Sequence, residues 1–463
     1  MMAMSISAKR VPPPAVKRYD VLAIGAGNAG LGAAGIARAA GLCVGVVEKR
    51  DVGGTCALRG CVPKKVLVAA AQALHQISLA PVHHIEVGPA RLDWAKLIAR
   101  ERGFVAGVSQ GFEKSLADRG IDLLWGSARF VGPNRVAVNG KILEAGKIVI
   151  ATGSKPKRLP IPGAKHLITS EDILEMTELP DSLVFIGGGV VALEFSHVFA
   201  RAGCKVTILE VAERLLPGLD EEAVAAVCLE SERIGIEVVT GASVEAIEIQ
   251  GNHYVVHANV AGQQRRFVGQ RVANGAGRVA DLDGLDLDAG SVRHDGSRIA
   301  VDEHLRSRSN PAVYVAGDAL WSSAQLSPLA TYEGRIAGEN IVNGDRLSPD
   351  YGCIPANVYT VPALASVGIS EAAAKAAGLD YEIRRNDMRE WRSARTYGET
   401  VAFAKVILEK GSKRILGAHL VGHGAEEVIH LFAFGMRHGV DAEALAGTVY
   451  AYPTFSSDLK FML

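Results

Sequence analysis

The sequence predicts an α/β protein in which two similar βαβ units are followed by a C-terminal α+β domain, and three observations support this fold class. A short apolar strand, clustered glycines and an Ala-rich segment of helical period occur twice, from Tyr19 and from Ser182, and a second strand follows each copy. A third apolar strand, AVYVAGDA, ends at Gly317-Asp318. From about Asp350 the pattern changes to antiparallel strands and one helix. The second βαβ unit is therefore predicted to be inserted into the domain that the first one starts.

The first βαβ unit carries Gly25-x-Gly27-x-x-Gly30 between its strand and its helix. In this pattern the first glycine permits a tight turn, the second lets a pyrophosphate approach the backbone, and the third lets helix and strand pack closely. The N-terminus of the helix offers N–H groups and a positive dipole to phosphate. Glu48 ends the next strand, where a carboxylate holds a ribose hydroxyl. Strand, helix and acid together predict a dinucleotide site.

The second unit carries the equivalent pattern, Gly187-x-Gly189-x-x-Ala192, and Glu210 ends its second strand. A carboxylate at this position accepts a hydrogen bond from the ribose 2′-OH and repels a 2′-phosphate. The nearest Arg is Arg214, so the site is predicted to prefer NADH to NADPH. The alternative is that Glu210 is only a solvated strand end. Two dinucleotide sites in one chain are explained most simply by FAD that passes electrons between a nicotinamide and another redox centre.

The segment GGTCALRGCVPKK, residues 53–65, supplies a candidate for that centre, because Cys56 and Cys61 lie five positions apart. A zinc site would need about four N or S ligands, and the neighbouring sequence offers no second pair. Two structural thiols are another alternative. Pro63 can begin a helix, and a thiolate near its N-terminus and beside Lys would have a lowered pKa. The pattern favours a redox-active pair.

The composition is typical of a soluble globular protein, with 463 residues of which 48% are hydrophobic and 22% charged. Lys and Arg together number 50, as do Asp and Glu, so the charge balance indicates neither nucleic acid nor an anionic membrane as a partner. The N-terminal segment lacks the apolar core of a signal peptide, and no uncharged apolar run of about 18 residues predicts a membrane span. The expected location is the cytoplasm, where a disulfide is more often catalytic than structural.

The chain resembles the FAD-dependent pyridine nucleotide-disulfide oxidoreductases, class I, the group of glutathione reductase, lipoamide dehydrogenase and mercuric reductase. The resemblance runs from about Tyr19 to the C-terminus. It includes the motifs GGTC-x4-GCVPKK, IVIATGS, AGR, VAGDA and VGISEAAA, in this order. An α/β fold with two Rossmann-like domains, one for FAD and one for NAD(P), and a C-terminal α+β dimerisation domain is implied.

The resemblance also implies roles for single residues. Cys61 would lie against the flavin as the charge-transfer thiolate, and Cys56 would attack the substrate. One of Lys64 and Lys65 would lie near the flavin, paired with Glu194, and of the two we expect Lys65. Besides the two glycine motifs and their acids, the residues implied in cofactor binding are Gly54, Thr55, Ala128, Thr152, Gly153, Gly277, Arg278 and Asp318, the last on the ribityl chain.

The same resemblance, with the changes of pattern along the chain, predicts the domain boundaries. Residues 1–18 are expected to be a disordered lead-in. The FAD-binding domain is predicted at 19–158 and resumes at 277–348, with the NAD(P)-binding domain inserted at 159–276. Residues 349–463 form the predicted dimerisation domain of a homodimer in which each active site uses residues of both chains.

The C-terminal motif departs from the family pattern, which is His-Pro-Thr with Glu five residues after the His. In the segment YAYPTFSSD, Tyr452 stands where the His would be, Ser457 stands where the Glu would be, and Asp458 follows. Histidine works as both acid and base near neutral pH, whereas a tyrosine hydroxyl ordinarily titrates near 10. Ordinary dithiol–disulfide turnover is therefore expected to be slow unless another histidine, such as His423 or His430, substitutes; the alternative is that both are surface or structural residues.

Further departures bear on the substrate. Mercuric reductase carries a Cys pair near its C-terminus, whereas no Cys follows Cys353 in this chain. The NADPH-binding arginines of glutathione reductase match Val211 and Pro217, and its nicotinamide gate tyrosine matches Val190. The absence of these arginines agrees with a preference for NADH.

The sequence as a whole predicts an enzyme that passes electrons from NADH through FAD to the Cys56–Cys61 disulfide and on to an unidentified disulfide or other acceptor. One alternative is a reductase of a non-disulfide electrophile such as a metal ion, a quinone or a reactive oxidant. Another is a lipoamide dehydrogenase-like subunit or a weakly catalytic, redox-sensing flavoprotein. Tyr452 is predicted to donate a hydrogen bond to the Cys56 sulfur of the other subunit.

Overall fold

The computed structural model of the chain describes residues 16–320 and 324–463, which fall into two compact units. The first unit comprises the described part of Met1–Gly53 with Gln110–Gly153 and Ala280–Pro349. The second comprises Gly54–Ser109, Ser154–Val279 and Asp350–Leu463. Residues 1–15 of the predicted lead-in lie outside the described residues, and the first strand begins at Lys17 rather than at the expected Tyr19.

The described residues form the following helices and strands. The helices are α1 Asn28–Ala39, α2 Gly54–Arg59, α3 Cys61–Leu79, α4 Trp94–Val105, α5 Val108–Asp118, α6 Ser170–Glu175, α7 Val190–Arg201, α8 Glu221–Arg233, α9 Ser327–Asn343, α10 Glu371–Ala376, α11 Arg392–Tyr397, α12 Ala425–Arg437, α13 Ala442–Ala446 and α14 Leu459–Met462. The strands are β1 Lys17–Ile24, β2 Val44–Glu48, β3 Asp122–Trp125, β4 Ala128–Gly132, β5 Arg135–Val138, β6 Lys141–Ile150, β7 Ser154–Pro156, β8 Ser182–Ile186, β9 Lys205–Leu209, β10 Glu237–Val239, β11 Ala242–Gln250, β12 His253–Val260, β13 Gln263–Gly269, β14 Arg271–Asn274, β15 Arg278–Ala280, β16 Val313–Val315, β17 Ala356–Val358, β18 Ala363–Gly368, β19 Tyr381–Asp387, β20 Phe403–Glu409 and β21 Ile415–Gly422.

The first unit is built on a seven-stranded sheet in the order β3-β2-β1-β6-β5-β4, with β16 also paired to β6. Strands β1, β2, β3, β6 and β16 are parallel, and β4, β5 and β6 form an antiparallel edge. Val21, Leu22 and Ala23 of β1 are fully buried, and α1 packs on this central strand. The third apolar strand of the sequence, here β16, therefore joins the sheet that β1 starts, as predicted.

The second βαβ unit lies in the second compact unit and forms the parallel sheet β10-β9-β8-β14. Helix α7 follows β8 directly and is almost fully buried from Ala192 to Phe199. A three-stranded antiparallel sheet, β11-β12-β13, and the pair β15-β7 complete this part. The two βαβ units predicted from the repeated pattern are thus confirmed.

The C-terminal residues form the antiparallel sheet β17-β18-β21-β20-β19, with α12 packed on β18 and β21. All the strand patterns predicted after Asp350 are found here. Helix α12 has a strongly amphipathic sequence, and its buried side includes Val428, Ile429 and Phe432. This confirms an α+β arrangement for the C-terminal part.

One segment, Gly54–His83, has the length and the mean hydropathy, 1.2, of a membrane span, although the sequence analysis predicts no span. It consists of α2, α3 and a 3-10 turn, and 39% of its most apolar window is buried in the protein. Helix α3 packs on α4 and α7, and its buried residues include Val66, Leu67 and Val68. Packing inside the second unit accounts for the apolar composition of this helix.

Candidate active site

The first glycine motif forms the turn between β1 and α1. Gly25 has φ +108°, and a Cβ there would lie 2.3 Å from the carbonyl oxygen of Ala151, so only glycine fits. Gly27 caps the helix, and a Cβ on Gly30 would lie 1.9 Å from the Gly25 oxygen. The loop therefore leaves the N–H groups at the start of α1 available to phosphate.

Glu48 is held in place at the end of β2 by three backbone N–H groups. Its carboxylate accepts hydrogen bonds of 2.8 Å from the N–H groups of Ala26, Lys49 and Arg50. In the same unit, the buried hydroxyl oxygen of Thr152 has no hydrogen-bond partner among the described residues, and Gly153 has φ +73°. A buried hydroxyl without a partner is a group that a bound ligand can satisfy. These features fit FAD.

The second glycine motif repeats this geometry between β8 and α7. Gly187 has φ +97°, and a Cβ there would lie 2.4 Å from the backbone N of Ala276. Glu210 accepts hydrogen bonds from the N–H groups of Gly188, at 2.5 Å, and Ala212, at 2.8 Å. The carboxylate is therefore fixed where a strand-end acid can bind a ribose.

The surroundings of Glu210 carry little positive charge. Val190, at the start of α7, is 41% exposed, and Val211 is 68% exposed. The guanidinium of Arg214 instead donates to backbone oxygens of Leu215, Leu216, Pro217 and Leu219. It is occupied by its own loop, which removes the nearest candidate for binding a 2′-phosphate.

The remaining predicted cofactor residues are distributed over both units. Ala128, Thr152, Gly153 and Asp318 belong to the first unit, together with the first glycine motif and Glu48. The second unit holds Gly54, Thr55, Gly277 and Arg278, together with Gly187, Gly189, Ala192 and Glu210. Their roles in binding stay predictions.

The cysteine pair lies at the junction of α2 and α3, in the second unit. Cys56 is in α2 and Cys61 is the first residue of α3, and neither is in a disulfide. A hydrogen bond with Cys56 and burial both raise the pKa of Cys61, and the charge of Lys64 opposes them. The lowered pKa predicted from the helix N-terminus is therefore wrong for Cys61 in this dithiol form. The two sulfurs interact too closely to lose both protons independently.

The ion pair with Glu194 is made by Lys64 and not by Lys65, which corrects the sequence prediction. The Lys64 Nζ lies 2.8 Å from Glu194 Oε1, with side chains only 12% and 7% exposed. Successive residues on a helix point about 100° apart, so only one of two neighbouring lysines can face α7. The Lys65 Nζ instead lies 4.0 Å from the centre of the Tyr359 ring. Burial is the main cause that lowers the pKa of Lys65, and the positive charge of Lys64 lowers it further.

Tyr359, which was not among the predicted site residues, contacts this ion pair with both its backbone and its ring. Its N–H donates a 2.8 Å hydrogen bond to the same Glu194 Oε1, and its ring centre lies 4.3 Å from Lys64 Nζ. The residue follows β17 directly and lies outside the motifs that carry the family resemblance. No pattern in the sequence could have found it.

The C-terminal motif leaves Tyr452 on the surface of the chain, 62% exposed. Ser457, in the position of the family Glu, is buried and its hydroxyl donates a 2.6 Å hydrogen bond to the carbonyl of Thr454. Ser457 is thus occupied in a local turn with Thr454. The predicted contact of Tyr452 with the other subunit stays a prediction.

Near this motif, two histidines share one buried carboxylate. Glu399 Oε1 lies 3.2 Å from His423 Nδ1, and Glu399 Oε2 lies 3.2 Å from His75 Nε2. Burial alone would raise the pKa of Glu399, but the hydrogen bonds from both histidines lower it to about 2. The Glu399 hydrogen bond raises the pKa of His423. The rings of Tyr397 and Phe455 stack on His423 with centroid distances of 4.9 and 4.8 Å.

The contacts of Glu399 indicate which histidine could replace the one that the C-terminal motif lacks. His423 is 38% exposed and has a carboxylate partner, whereas His430 has none among the described residues. Phe455 belongs to the C-terminal motif itself and joins it to His423. Of the two histidines considered, the structure favours His423.

Across residues 16–320 and 324–463, no group of three or more His, Cys, Asp or Glu side chains is arranged to hold a metal ion.

Comparison with known proteins shows the family to which this arrangement belongs. Residues 19–334 match the model of the pyridine nucleotide-disulphide oxidoreductases, and residues 354–462 match the dimerisation domain of the same group. The chain therefore belongs to this family, as the sequence motifs predicted. It is an FAD-dependent oxidoreductase that uses a pyridine nucleotide and acts in electron transfer to a disulfide. The dimerisation domain supports a homodimer.

Several named proteins are similar over almost the whole chain. Dihydrolipoyl dehydrogenase of Chlorobaculum parvum is 32% identical over 453 residues, which covers 96% of each chain. Glutathione reductase of Burkholderia cepacia is 31% identical over 441 residues, covering 95% of this chain and 97% of that protein. Among solved structures, the HOCl-induced flavoprotein disulfide reductase RclA of Escherichia coli superposes with a TM-score of 0.86 at 26% identity, covering 96% and 99% of the two chains.

Proposed function

We propose that this enzyme oxidises NADH in preference to NADPH and delivers the electrons through Cys56 and Cys61 to a small disulfide. The observation that carries the proposal is the hydrogen bond between the reduced Cys56 and Cys61 side chains where α2 meets α3, one turn before the buried Lys64–Glu194 ion pair. The fixed carboxylate of Glu210 supports the choice of NADH.

The residues of the chain account for the chemistry at sulfur. When bound, FAD carries two electrons from the nicotinamide to the disulfide. The Cys56 thiolate then attacks one sulfur of the acceptor, whose S–S bond breaks, and the departing thiolate takes a proton. Cys61 attacks the mixed disulfide, the Cys56–Cys61 bond forms again, and the second thiol leaves. The balance is NADH, one proton and RSSR giving NAD⁺ and two RSH.

The departing thiolate needs a proton donor, and two groups near the C-terminal motif are candidates. Tyr452 is exposed and can donate from its hydroxyl. His423 has its Nδ1 held by Glu399, and Tyr397 and Phe455 stack on its ring, so Nε2 is the ring nitrogen left for proton transfer. A carboxylate that orients an imidazole is the arrangement that acid–base catalysis at neutral pH uses.

A second candidate function is the reduction of a non-disulfide electrophile, such as a metal ion or a reactive oxidant. It is supported by Tyr452, since a tyrosine is a weaker base than the histidine that thiol exchange normally uses. The similar RclA protein is described as induced by HOCl, and two of its structures are Cu(II) complexes. Such acceptors need fewer proton transfers at sulfur.

The test is an NADH-oxidation screen over lipoamide, glutathione disulfide, quinones, hypochlorite and Cu(II), with Cys56→Ser and Cys61→Ser beside the natural chain. We expect Cys56→Ser to lose disulfide reduction and to show a long-wavelength absorption band without NADH. Cys61→Ser should lack that band after two-electron reduction. Cys43→Ser, which removes an exposed thiol of the first unit, is the matched control and should resemble the natural chain.

Each outcome of the screen separates the alternatives. Natural spectra in both variants, before and after reduction, would show that the pair is not redox-active. Full activity of Cys56→Ser on a quinone or metal ion would favour the second candidate function. NADH binding without turnover of any acceptor would favour a redox-sensing or weakly catalytic flavoprotein.

We further propose a cytoplasmic homodimer with no nucleic-acid or membrane partner. The balanced charge, 50 basic against 50 acidic residues, supports the absence of a polyanionic partner. Fractionation of the native cells would contradict the location if the enzyme sedimented with membranes in low and high salt.

A further inference from the structure

Two lysine ammonium groups contact the ring of one tyrosine beside the cysteine pair. The centre of the Tyr359 ring lies 4.3 Å from Lys64 Nζ and 4.0 Å from Lys65 Nζ. In the part of the chain that the structure describes, no other aromatic ring has two cations this close. The negative face of an aromatic ring attracts an ammonium group at this range, most strongly where water is excluded.

The two lysines share one helix face with Cys61. They stand three and four positions after it on α3, so all three side chains lie on the same side of the first turn. Neighbouring cations of this kind favour a thiolate at the helix N-terminus. The hydrogen bond with Cys56 and burial raise the pKa of Cys61, and the positive charge of Lys64 opposes that rise.

The two ammonium groups differ in what else holds them. Lys64 is paired with Glu194, whose Oε1 also accepts the backbone N–H of Tyr359. Lys65 makes no ion pair within residues 16–320 and 324–463, and the acidic groups that act on it, Glu426, Glu194 and Glu427, do so through their charge and without an ion pair. The Tyr359 ring is therefore the contact that holds Lys65 against the repulsion of Lys64.

We propose that Tyr359 is a positioning residue of the redox site, whose ring holds the Lys64 and Lys65 ammonium groups beside the cysteine pair and so favours the reduced form of that pair. The inference rests on the proposed function, in which Cys56 and Cys61 carry the electrons. Two-electron reduction breaks the S–S bond and leaves two sulfur anions, of which one takes a proton from water. The electrons come from NADH. Both cations stabilise the sulfur that stays anionic.

The backbone geometry allows a clean test, because the hydrogen bond to Glu194 comes from the main chain and survives a change of side chain. Tyr359→Leu removes the ring, and Tyr359→Phe keeps it while removing the hydroxyl. Tyr381→Leu, on β19 of the same five-stranded sheet and of similar exposure, is the matched control. The holoenzymes are equilibrated in dithiothreitol redox buffers and the thiols of the pair are counted by alkylation and mass spectrometry.

For Tyr359→Leu we expect the equilibrium constant for reduction of the pair to fall roughly three- to tenfold, which is about 15–30 mV. The pH midpoint for alkylation should rise by about half a unit to one unit, because the thiolate loses cation support. The reactivity of Lys65 towards acylation should increase, since a lysine that loses a cation–π contact is less well held as the ammonium. Tyr359→Phe and Tyr381→Leu should stay within about twofold of the natural chain.

A redox equilibrium and an alkylation midpoint that do not change in Tyr359→Leu would overturn the proposal. If that variant does not fold, Lys65→Met replaces it and should shift both quantities in the same direction. When Lys65→Met is added to a folded Tyr359→Leu variant, it should shift the redox equilibrium and the alkylation midpoint little further, because the Tyr359 ring and Lys65 act as a unit. Failure of the proposed function would be seen in a separate experiment, as full reduction of the acceptor by Cys56→Ser. The redox equilibrium of the cysteine pair in the natural chain can still be measured in that case.

Discussion

Substitution of Glu210 should change the choice between NADH and NADPH, and the structure fixes the size of the effect. Both carboxylate oxygens accept backbone hydrogen bonds, from Gly188 at 2.5 Å and from Ala212 at 2.8 Å, so the group is held in one orientation. A hydrogen bond from a ribose 2′-OH to such a charged acceptor contributes about 1.5–3 kcal/mol.

A 2′-phosphate meets the same carboxylate as a like charge. Two such charges about 5 Å apart in a water-like medium repel by about 1–2 kcal/mol. The exposed Val211 beside them offers no compensating cation. We therefore expect kcat/KM for NADH to exceed that for NADPH by at least roughly tenfold, and by several hundredfold if solvent screens the charges poorly.

The assay is stopped-flow reduction of the enzyme by each nucleotide, for the natural chain, Glu210→Ala and Glu210→Ala with Val211→Arg. The single variant should lose most of the preference, and the double variant should favour NADPH. Glu210→Gln is the comparison variant: it removes the charge and keeps one acceptor oxygen, while its amide NH2 cannot accept the second backbone N–H. Equal or better use of NADPH by the natural chain would refute the assignment, as would an unchanged ratio in a folded Glu210→Ala.

Two further predictions concern the C-terminal part. Tyr452→Phe should leave the rate of reduction by NADH within a few-fold and slow reoxidation by disulfides roughly tenfold to a hundredfold, and Tyr452→His with Ser457→Glu should raise lipoamide turnover. Stopped-flow measurement of both half-reactions tests this. A loss confined to the NADH step would contradict the placement of Tyr452. Because the pKa of Glu399 is lowered from 4.5 to about 2, its contribution of about 3 kcal/mol is present above pH 4.5 and lost as the pH falls towards 2. The raised pKa of His423 acts oppositely, since its contribution is full below pH 6.5 and is lost as the pH rises through the folded-state value. Urea unfolding of Glu399→Gln between pH 2 and 8 should lack both changes, and a pH dependence equal to that of the natural chain would disprove this account.

The sequence alone determined the features that depend on neighbouring residues. Gly25 and Gly187 have positive φ because each lies in the tight turn that joins a strand to a helix. The glycine motif in the sequence predicts this conformation. The strands after Asp350 could be predicted for the same reason, because a period of two is a local property. The family motifs add the cysteine pair and its order relative to both nucleotide sites.

The tertiary structure decided which side chains meet across long distances in the chain. Glu194 pairs with Lys64 because the packing of α7 on α3 selects one direction out of the helix, and the sequence contains two adjacent lysines without saying which faces it. His75 and Glu399 are 324 positions apart, and Tyr359 reaches Glu194 across 165. Such contacts arise from how whole elements pack, and no pattern of neighbouring residues encodes where a distant helix or strand will lie.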